Sequence, residues 1–311
     1  MTQITIGLDV SKDGLDVHRL SDGANRRFSN SPSGFRTLIG WIGANVSRVV
    51  FEPTGPYHRG IERALAESGV PMVKINPRQA RRFAEATGQV AKTDRLDARL
   101  LAKMGEMLQL DPRPAPPEAI VELRQLRLSR QSLVKDQTAA LNRQKSLTVL
   151  LLKRQNAQRL KQIETQIAAI DAEISRRVQA DADFAARLEI LTSIPGIGLQ
   201  SALGLLIEMP ELGSLEPGQA ASLAGLAPIV RQSGRWTGKA FIRGGRPAAR
   251  RMLYMPALVA VRFNPNFKAK YEQLTGAGKP AKVAIIAVMR KFVVLANALL
   301  KAQRTWAPQM P

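Results

Sequence analysis

A chain of 311 residues carries 46 Lys/Arg against 25 Asp/Glu, for a formal net charge of +21, with two histidines and no cysteine. The absence of cysteine excludes disulfides and thiolate metal sites. With only His18 and His58 available, chemistry has to rest on carboxylates, hydroxyls and basic groups rather than on a histidine-metal centre or a Ser-His-Asp site. The length suits two or three domains, and no apolar run is expected to approach the ~18–20 residues of a membrane span. No signal-peptide pattern precedes "ITIGLDV", so the expectation is a cytoplasmic protein, at the nucleoid when acting, with no membrane partner.

Residues 1–110 alternate strand and helix signals. "ITIGLDV" and "LDVHRL" flank "SKDG" as a hairpin, "RRFSN" supplies a third strand, and Ser31 before Pro32 caps a helix. "RVVFEPTG" and "PMVKINP" are further strands, and "KTDRLDARLLA" lies on a final helix. A three-stranded meander followed by alternating helices and strands predicts an α/β, ribonuclease-H-like domain. Residues 111–185 are expected to be a linker and long helices. "DPRPAPP" (111–117) marks the boundary, and no proline occurs from Glu118 to Ile194. Ile163, Ile167, Ile170 and Ile174 recur at four-three-four spacing, a coiled-coil stripe suited equally to a hairpin within one chain or a dimer seam, with a turn near residues 153–158. Residues 186–311 predict a basic, mostly α domain. Its "IPGIG" resembles a helix-hairpin-helix turn, in which Gly196 and Gly198 let the backbone approach a phosphate.

The positive charge is uneven. Residues 1–110 carry a net of +5 and residues 111–185 a net of +4, whereas residues 186–311 hold 17 Lys/Arg against 5 Asp/Glu, a net of +12. After Glu216 the only carboxylate side chain is Glu272. A region so stripped of acids is the electrostatic footprint of a polyanion partner, and nucleic acid is the polyanion expected.

Against that background four carboxylates stand out. Asp9 ends the first strand, Glu52 ends a later one, and Asp94 and Asp97 lie three apart on the domain's last helix, on one helix face. Taken singly, each has a duller reading as a turn, loop or helix-surface charge. Together, at the ends of neighbouring strands and on a helix crossing them, they form a set that divalent cations would stabilise, and Mg²⁺ suits its hard oxygen donors. Asp13 and Asp16 are expected to belong to the second strand and to face solvent. The basic Lys92, Arg95 and Arg99 flank the helix acids and would track phosphates.

In "VRQSGRWTGKAFIRGGR", Ser233 stands between Arg231 and Arg235. A serine in such a loop is commonly a turn residue, yet one fenced by arginines is also a reasonable phosphoryl acceptor. Arg231, Arg235, Lys239, Arg243 and Arg246 are the candidate nucleic-acid contacts there.

"GLDVSK", "FEPTG" and "KTDRLDARLLA", followed by "IPGIG", "AGLAP", "SGRWTGKAFIRGGR", "LYMPALVAVRFNP" and "GKPAKVAIIAVMRK", resemble the insertion-sequence-110 family of transposases along nearly the whole chain. The resemblance implies a RuvC-like catalytic domain in which Asp9, Glu52, Asp94 and Asp97 bind Mg²⁺. It also implies a C-terminal transposase domain whose Ser233 forms a covalent 5′-phosphoserine with DNA. The partners implied are target and donor DNA, a noncoding bridge RNA that guides by base pairing, and further copies of the chain, as dimers and dimers of dimers whose domains share active sites between protomers. The alternatives are a RuvC-like junction resolvase or metal-dependent nuclease using water, and a non-enzymatic nucleic-acid-binding protein.

Overall fold

The computed structural model describes residues 4–43, 45–88 and 94–307, with the backbone alone at 94 and 95. The chain divides into two compact units, residues 1–116 and 117–311.

The first unit is a five-stranded mixed sheet with helices on both faces. Its elements run β1 (Ile4–Val10), β2 (Gly14–Arg19), β3 (Asn25–Ser29), α1 (Pro32–Ile42), β4 (Val46–Phe51), α2 (Arg59–Glu67), β5 (Met72–Lys74), α3 (Pro77–Ala86) and α4 (Asp94–Met107). The spatial order is β3-β2-β1-β4-β5, antiparallel across the meander and parallel where β1 meets β4 and β4 meets β5. Local chemistry starts the helices as expected. Ser31 Oγ accepts from the Gly34 amide with Pro32 in the first turn, and Asn76 caps α3 in the same way before Pro77.

Side-chain alternation divides the sheet between its two covers. Ile6, Leu8 and Val10 of β1, with Leu15, Val17, Val49 and Phe51, form one core with Leu38, Ile42, Ile61 and Leu65 of α1 and α2. Thr5, Gly7 and Asp9 take the opposite face, where α4 lies. A Cβ at Gly7 would stand 1.8 Å from the Ala98 carbonyl oxygen and 2.5 Å from the Ala102 amide nitrogen, so α4 packs backbone to backbone on β1. One end is fastened by Thr5 Oγ1 donating to Glu106 at 2.7 Å. Beside it, Arg48 reaches under the helix end and donates to the Gly105 and Leu110 carbonyls.

The second unit is helical: α5 (Glu118–Gln144), α6 (Leu150–Gln179), α7 (Ala182–Thr192), α8 (Leu199–Glu208), α9 (Pro217–Leu223), α10 (Pro247–Phe263), α11 (Pro265–Gly276) and α12 (Ala281–Lys301). Between α9 and α10 lie four two-residue strands, β6 (Pro228–Ile229), β7 (Gln232–Ser233), β8 (Trp236–Thr237) and β9 (Phe241–Ile242). The long hairpin turns at residues 145–149 and not at 153–158. The polar run "QNAQ" that suggested a turn is helical because Asn156 is buried and donates to the Ala140 carbonyl across the hairpin at 3.1 Å. Ile163 and Ile174 of the isoleucine stripe are buried within the chain, and Ile167 and Ile170 are half-buried.

Helix α12 overturns the expectation about apolar runs. Its 21 residues are long and apolar enough to cross a membrane by length and composition. They are apolar because α12 runs through the core, where Ala284, Val288, Phe292, Val293 and Ala296 are fully buried and Phe292 stacks on Phe267 at 4.3 Å. Its Asn297 accepts from the Gly213 amide and donates to the Leu215 carbonyl, tying down the loop before α9.

The close approach at Gly7 gives a direct test. Gly7→Ala is expected to lower stability by about 1–3 kcal/mol or more, because the new methyl displaces a helix backbone. Gly40→Ala, on the exposed side of α1 with nothing within 4 Å of its Cβ, is expected to raise stability by about 0.5–1 kcal/mol. Urea denaturation of the two variants checks the contrast, and equal effects would remove the constraint assigned to Gly7.

Candidate nucleic-acid-processing site

Asp9 and Glu52 lie at one edge of the first unit's sheet. The β1–β4 register ends at Leu8 opposite Phe51, which puts Asp9 and Glu52 side by side just beyond it, at the C-terminal ends of two parallel strands. Asp9 lies two residues after Gly7 and so shares the face covered by α4. Asp97 precedes Ala98, the residue whose carbonyl meets Gly7. Asp9, Glu52 and Asp97 are all half-buried and each has an interaction partner. Asp94 is the first residue of α4, one turn before Ala98; its side chain and that of Arg95 lie outside the described residues, as does Lys92 altogether. Arg99 is exposed on α4.

Two neighbouring acids differ from expectation. Asp13 lies in the β1–β2 turn, exposed, and not in the strand. Asp16 does not face solvent. It is 8% exposed, stands directly opposite Asp9 in the antiparallel ladder, and lies 3.7 Å from the Arg27 guanidinium. Opposite residues in a ladder share a face, so Asp16 adds a fourth carboxylate position to the Asp9 side of the sheet. The signal was present in "GLDVHR", where Leu15 and Val17 take one face and Asp16 the other. The sequence alone did not reveal that α4 covers the second face too.

This donor set is all oxygen, which suits a hard divalent cation. Among the described residues, no three His, Asp or Glu side chains stand close enough to hold an ion together. The edge therefore gathers oxygen donors by strand register and one helix, without a metal-holding group among the described residues.

His58 precedes α2 beside this edge, its ring 6.3 Å from that of Phe51. Burial holds its pKa below the ordinary 6.5, and Lys74 adds to the effect; Glu62, 3.5 Å away, opposes them. Burial and Lys74 prevail because Glu62 is already paired with Lys74 at 2.5 Å. His18, the other histidine, is buried on β2 and bonded to Asn25 at 2.9 Å.

In the second unit, β7 and β8 form a minimal hairpin in which Ser233 pairs with Trp236 and Gln232 with Thr237. The two-residue loop is Gly234-Arg235. Gly234, at φ 56°, takes the first position, the glycine-first arrangement of a type II′ turn. Ser233 is exposed at this turn, and Arg231, Arg235, Lys239 and Arg243 are exposed around it. Among the described residues none of these four cations has an ion-pair partner; the Arg231 guanidinium lies over the Phe241 ring at 4.8 Å. Arg246 is placed differently. It grips Glu211 with two nitrogens at 2.7 and 2.6 Å and donates to the Glu208 carbonyl, so its charge is committed within the fold. In the loop between α7 and α8, Gly196 (φ 100°) is packed against α10, where a Cβ would stand 3.0 Å from the Pro256 carbonyl oxygen. Gly198 is exposed at the start of α8 with open space beside it.

Two expectations follow from this geometry. Arg246→Ala should destabilise the unit by about 1.5–3 kcal/mol through loss of its charged hydrogen bonds to Glu211 and the Glu208 carbonyl. Arg235→Ala with Lys239→Ala should leave stability unchanged, weaken DNA binding and shallow its salt dependence by about one to two counterions. Thermal melts and binding titrations over a salt series separate the two, and a salt slope unchanged by the double variant would remove those cations from the contact surface. For His58, the unfolded chain takes up the proton at a higher pH than the folded chain. Stability is therefore full above about pH 6.5 and falls as the pH drops below it. His58→Asn is expected to flatten that decline in urea titrations between about pH 5 and 7.

Comparison with known proteins joins the two halves. Residues 6–177 match the IS110 DEDD family described as "Transposase", and residues 188–272 match the family described as "Transposase IS116/IS110/IS902 family". The chain is 29% identical over 322 aligned positions to the "Pilin gene-inverting protein" of Moraxella bovis, covering 98% of each chain, and equally similar to the protein of that description from Moraxella lacunata. It is 28% identical over 158 positions to an "Insertion element IS110 uncharacterized 43.6 kDa protein" of Streptomyces coelicolor, covering 50% of this chain and 38% of that one. Family matches that run through both units place this chain in the IS110 family of transposases.

Proposed function

We propose that the protein is an RNA-guided DNA recombinase that mobilises its own insertion sequence, with Ser233 as nucleophile and a divalent cation, Mg²⁺, at the carboxylate edge. The observation that carries the reading is the position of Ser233, exposed at a tight turn with four cations around it and none of them paired among the described residues. The sheet order β3-β2-β1-β4-β5, with a meander leading into parallel strands, supports a RuvC-like, ribonuclease-H-type first unit. The Moraxella relatives, named for inverting a pilin gene, support DNA rearrangement as the outcome.

In this reading Asp9, Glu52, Asp94 and Asp97 would hold the cation, which when bound would supply Lewis-acid stabilisation of charge on the phosphate oxygens. Arg231, Arg235, Lys239 and Arg243 draw in the phosphodiester and neutralise it. The Ser233 Oγ attacks phosphorus, the P–O3′ bond breaks, and the 3′ oxygen leaves as a hydroxyl with the proton the serine gives up. A 3′ hydroxyl from another strand reverses the step on the 5′-phosphoserine, so the bond energy is kept and no ATP is needed. Base pairing by a noncoding bridge RNA chooses the target and donor DNA, and the protein holds that RNA through backbone and shape, in keeping with a net of +12 in residues 186–311. Dimers and dimers of dimers bring two DNA partners together, at the nucleoid.

The test is a denaturing gel of protein mixed with Mg²⁺, the RNA flanking its gene and matched DNA. A covalent protein–DNA adduct is expected that needs the RNA, disappears with EDTA, and is abolished by Ser233→Ala and by Asp9→Asn. Cleavage without an adduct that persists in Ser233→Ala would mean the acids act with water and would overturn the serine assignment.

A further inference from the structure

Three tryptophans occur in the chain, and two are built into the fold. Trp41 is half-buried against Phe28, with the Arg19 guanidinium 4.3 Å over its ring. Trp306 packs against the core of the second unit and its amide is held by Ser193. Trp236 is 60% exposed, in a protein with only 5% aromatic residues. It is the cross-strand partner of Ser233.

Its placement is constructed. A Cβ at Gly238 would stand 2.4 Å from one carbon of the Trp236 six-membered ring and 3.0 Å from two others, so the indole rests on the bare backbone of Gly238. The Gly238 amide in turn donates to the Arg231 carbonyl at 2.9 Å, fixing that backbone against the strand that leads to Ser233. Among the described residues no ring or cation is stacked on the indole, in contrast to Trp41. An indole braced on one side, 60% exposed, and close in sequence to the exposed Arg235, Lys239 and Arg243 has the make-up of a base-stacking platform: a flat apolar face for the base and cations for its phosphates.

We infer that Trp236 stacks an unpaired DNA base next to the phosphate presented to Ser233, and so sets the position of the strand in the site. The inference rests on Ser233 being the residue that handles the strand, but its test does not depend on covalent chemistry. A base can reach this face only where the duplex is opened, so the platform selects unpaired DNA over paired DNA. Trp236 is then a positioning residue, distinct from the cations, which contact any phosphate backbone alike.

The experiment compares wild type, Trp236→Ala and Trp236→Phe in equilibrium binding to oligo-dT, to oligo-rU and to a fully paired duplex at one salt concentration. Sedimentation of each variant is measured alongside. Trp236→Ala is expected to weaken oligo-dT binding about tenfold, within the range of one lost stacking contact, with duplex binding within about twofold of wild type; Trp236→Phe should recover most of the loss. An equal loss on duplex, no loss on oligo-dT, or no recovery with phenylalanine would each overturn the stacking role, and a loss confined to oligo-rU would overturn its assignment to DNA. Altered sedimentation with unchanged binding would show that the indole packs on a second copy of the chain, which also overturns it. If Ser233→Ala instead failed to abolish the covalent adduct while these binding results held, the nucleophile assignment would fall and the platform would stand.

Discussion

The first unit depends on one close approach, that of the α4 backbone to Gly7. Without a side chain at that position, the Ala98 carbonyl reaches the strand. The order of acids follows: Asp9 two residues along β1, Glu52 at the same level on the parallel neighbour, and Asp97 next to the contact on the helix. Carboxylates held near one another repel, and the fold supports them with groups at the opposite end of the same helix. The Thr5–Glu106 hydrogen bond and the Arg48 contacts to Gly105 and Leu110 fasten α4 at the end far from the acids.

In the second unit the arginines are sorted by work. Arg127 is 2% exposed and meets Glu208, Arg130 meets Asp171, and Arg246 meets Glu211. The first two of these pairs tie α5 to α8 and α5 to α6, and the third ties the start of α10 to the loop after α8. Among the described residues, the cations of the 231–243 segment have no ion-pair partner. Acids are scarce after Glu216, and exposed cations such as Arg251, Lys282 and Arg290 likewise have no ion-pair partner among the described residues, so the 231–243 hairpin is one cationic stretch of a broadly basic unit.

The α/β character and the strand-end acids were legible because alternation and terminal turn residues are local properties. Asp9 and Glu52 could be placed at strand ends from "GLDVSK" and "FEPTG" alone. What could not be read was which second face is covered, so Asp16 looked solvent-facing although it lies under the same edge as Asp9. The hairpin turn was misplaced because Asn156 has the composition of a loop residue, and only the Ala140 carbonyl across the helix pair explains it. The apolar length of α12 escaped notice for a related reason: its exposed side is narrow, and only Lys282, Arg290, Lys291 and Lys301 interrupt its otherwise uncharged sequence. Arg235 and Arg246 are indistinguishable by residue type, and only the partner Glu211, 35 residues away, separates them.

The α5–α6 hairpin acts as a lever. Helices of 27 and 30 residues give an arm of about 40 Å at 1.5 Å per residue, and its base packs on α7 and α8 while its tip exposes Leu150 and Leu151, each 62% accessible. With no glycine or proline between Glu118 and Ile194, the arm has no hinge of its own. A tilt of about 5° at the base would carry the tip roughly 3–4 Å, the scale of one base-pair step along a duplex. Small adjustments near α8 are thus magnified into register-sized displacements at the far end, and a load at the tip is returned to the helical core with the same mechanical advantage.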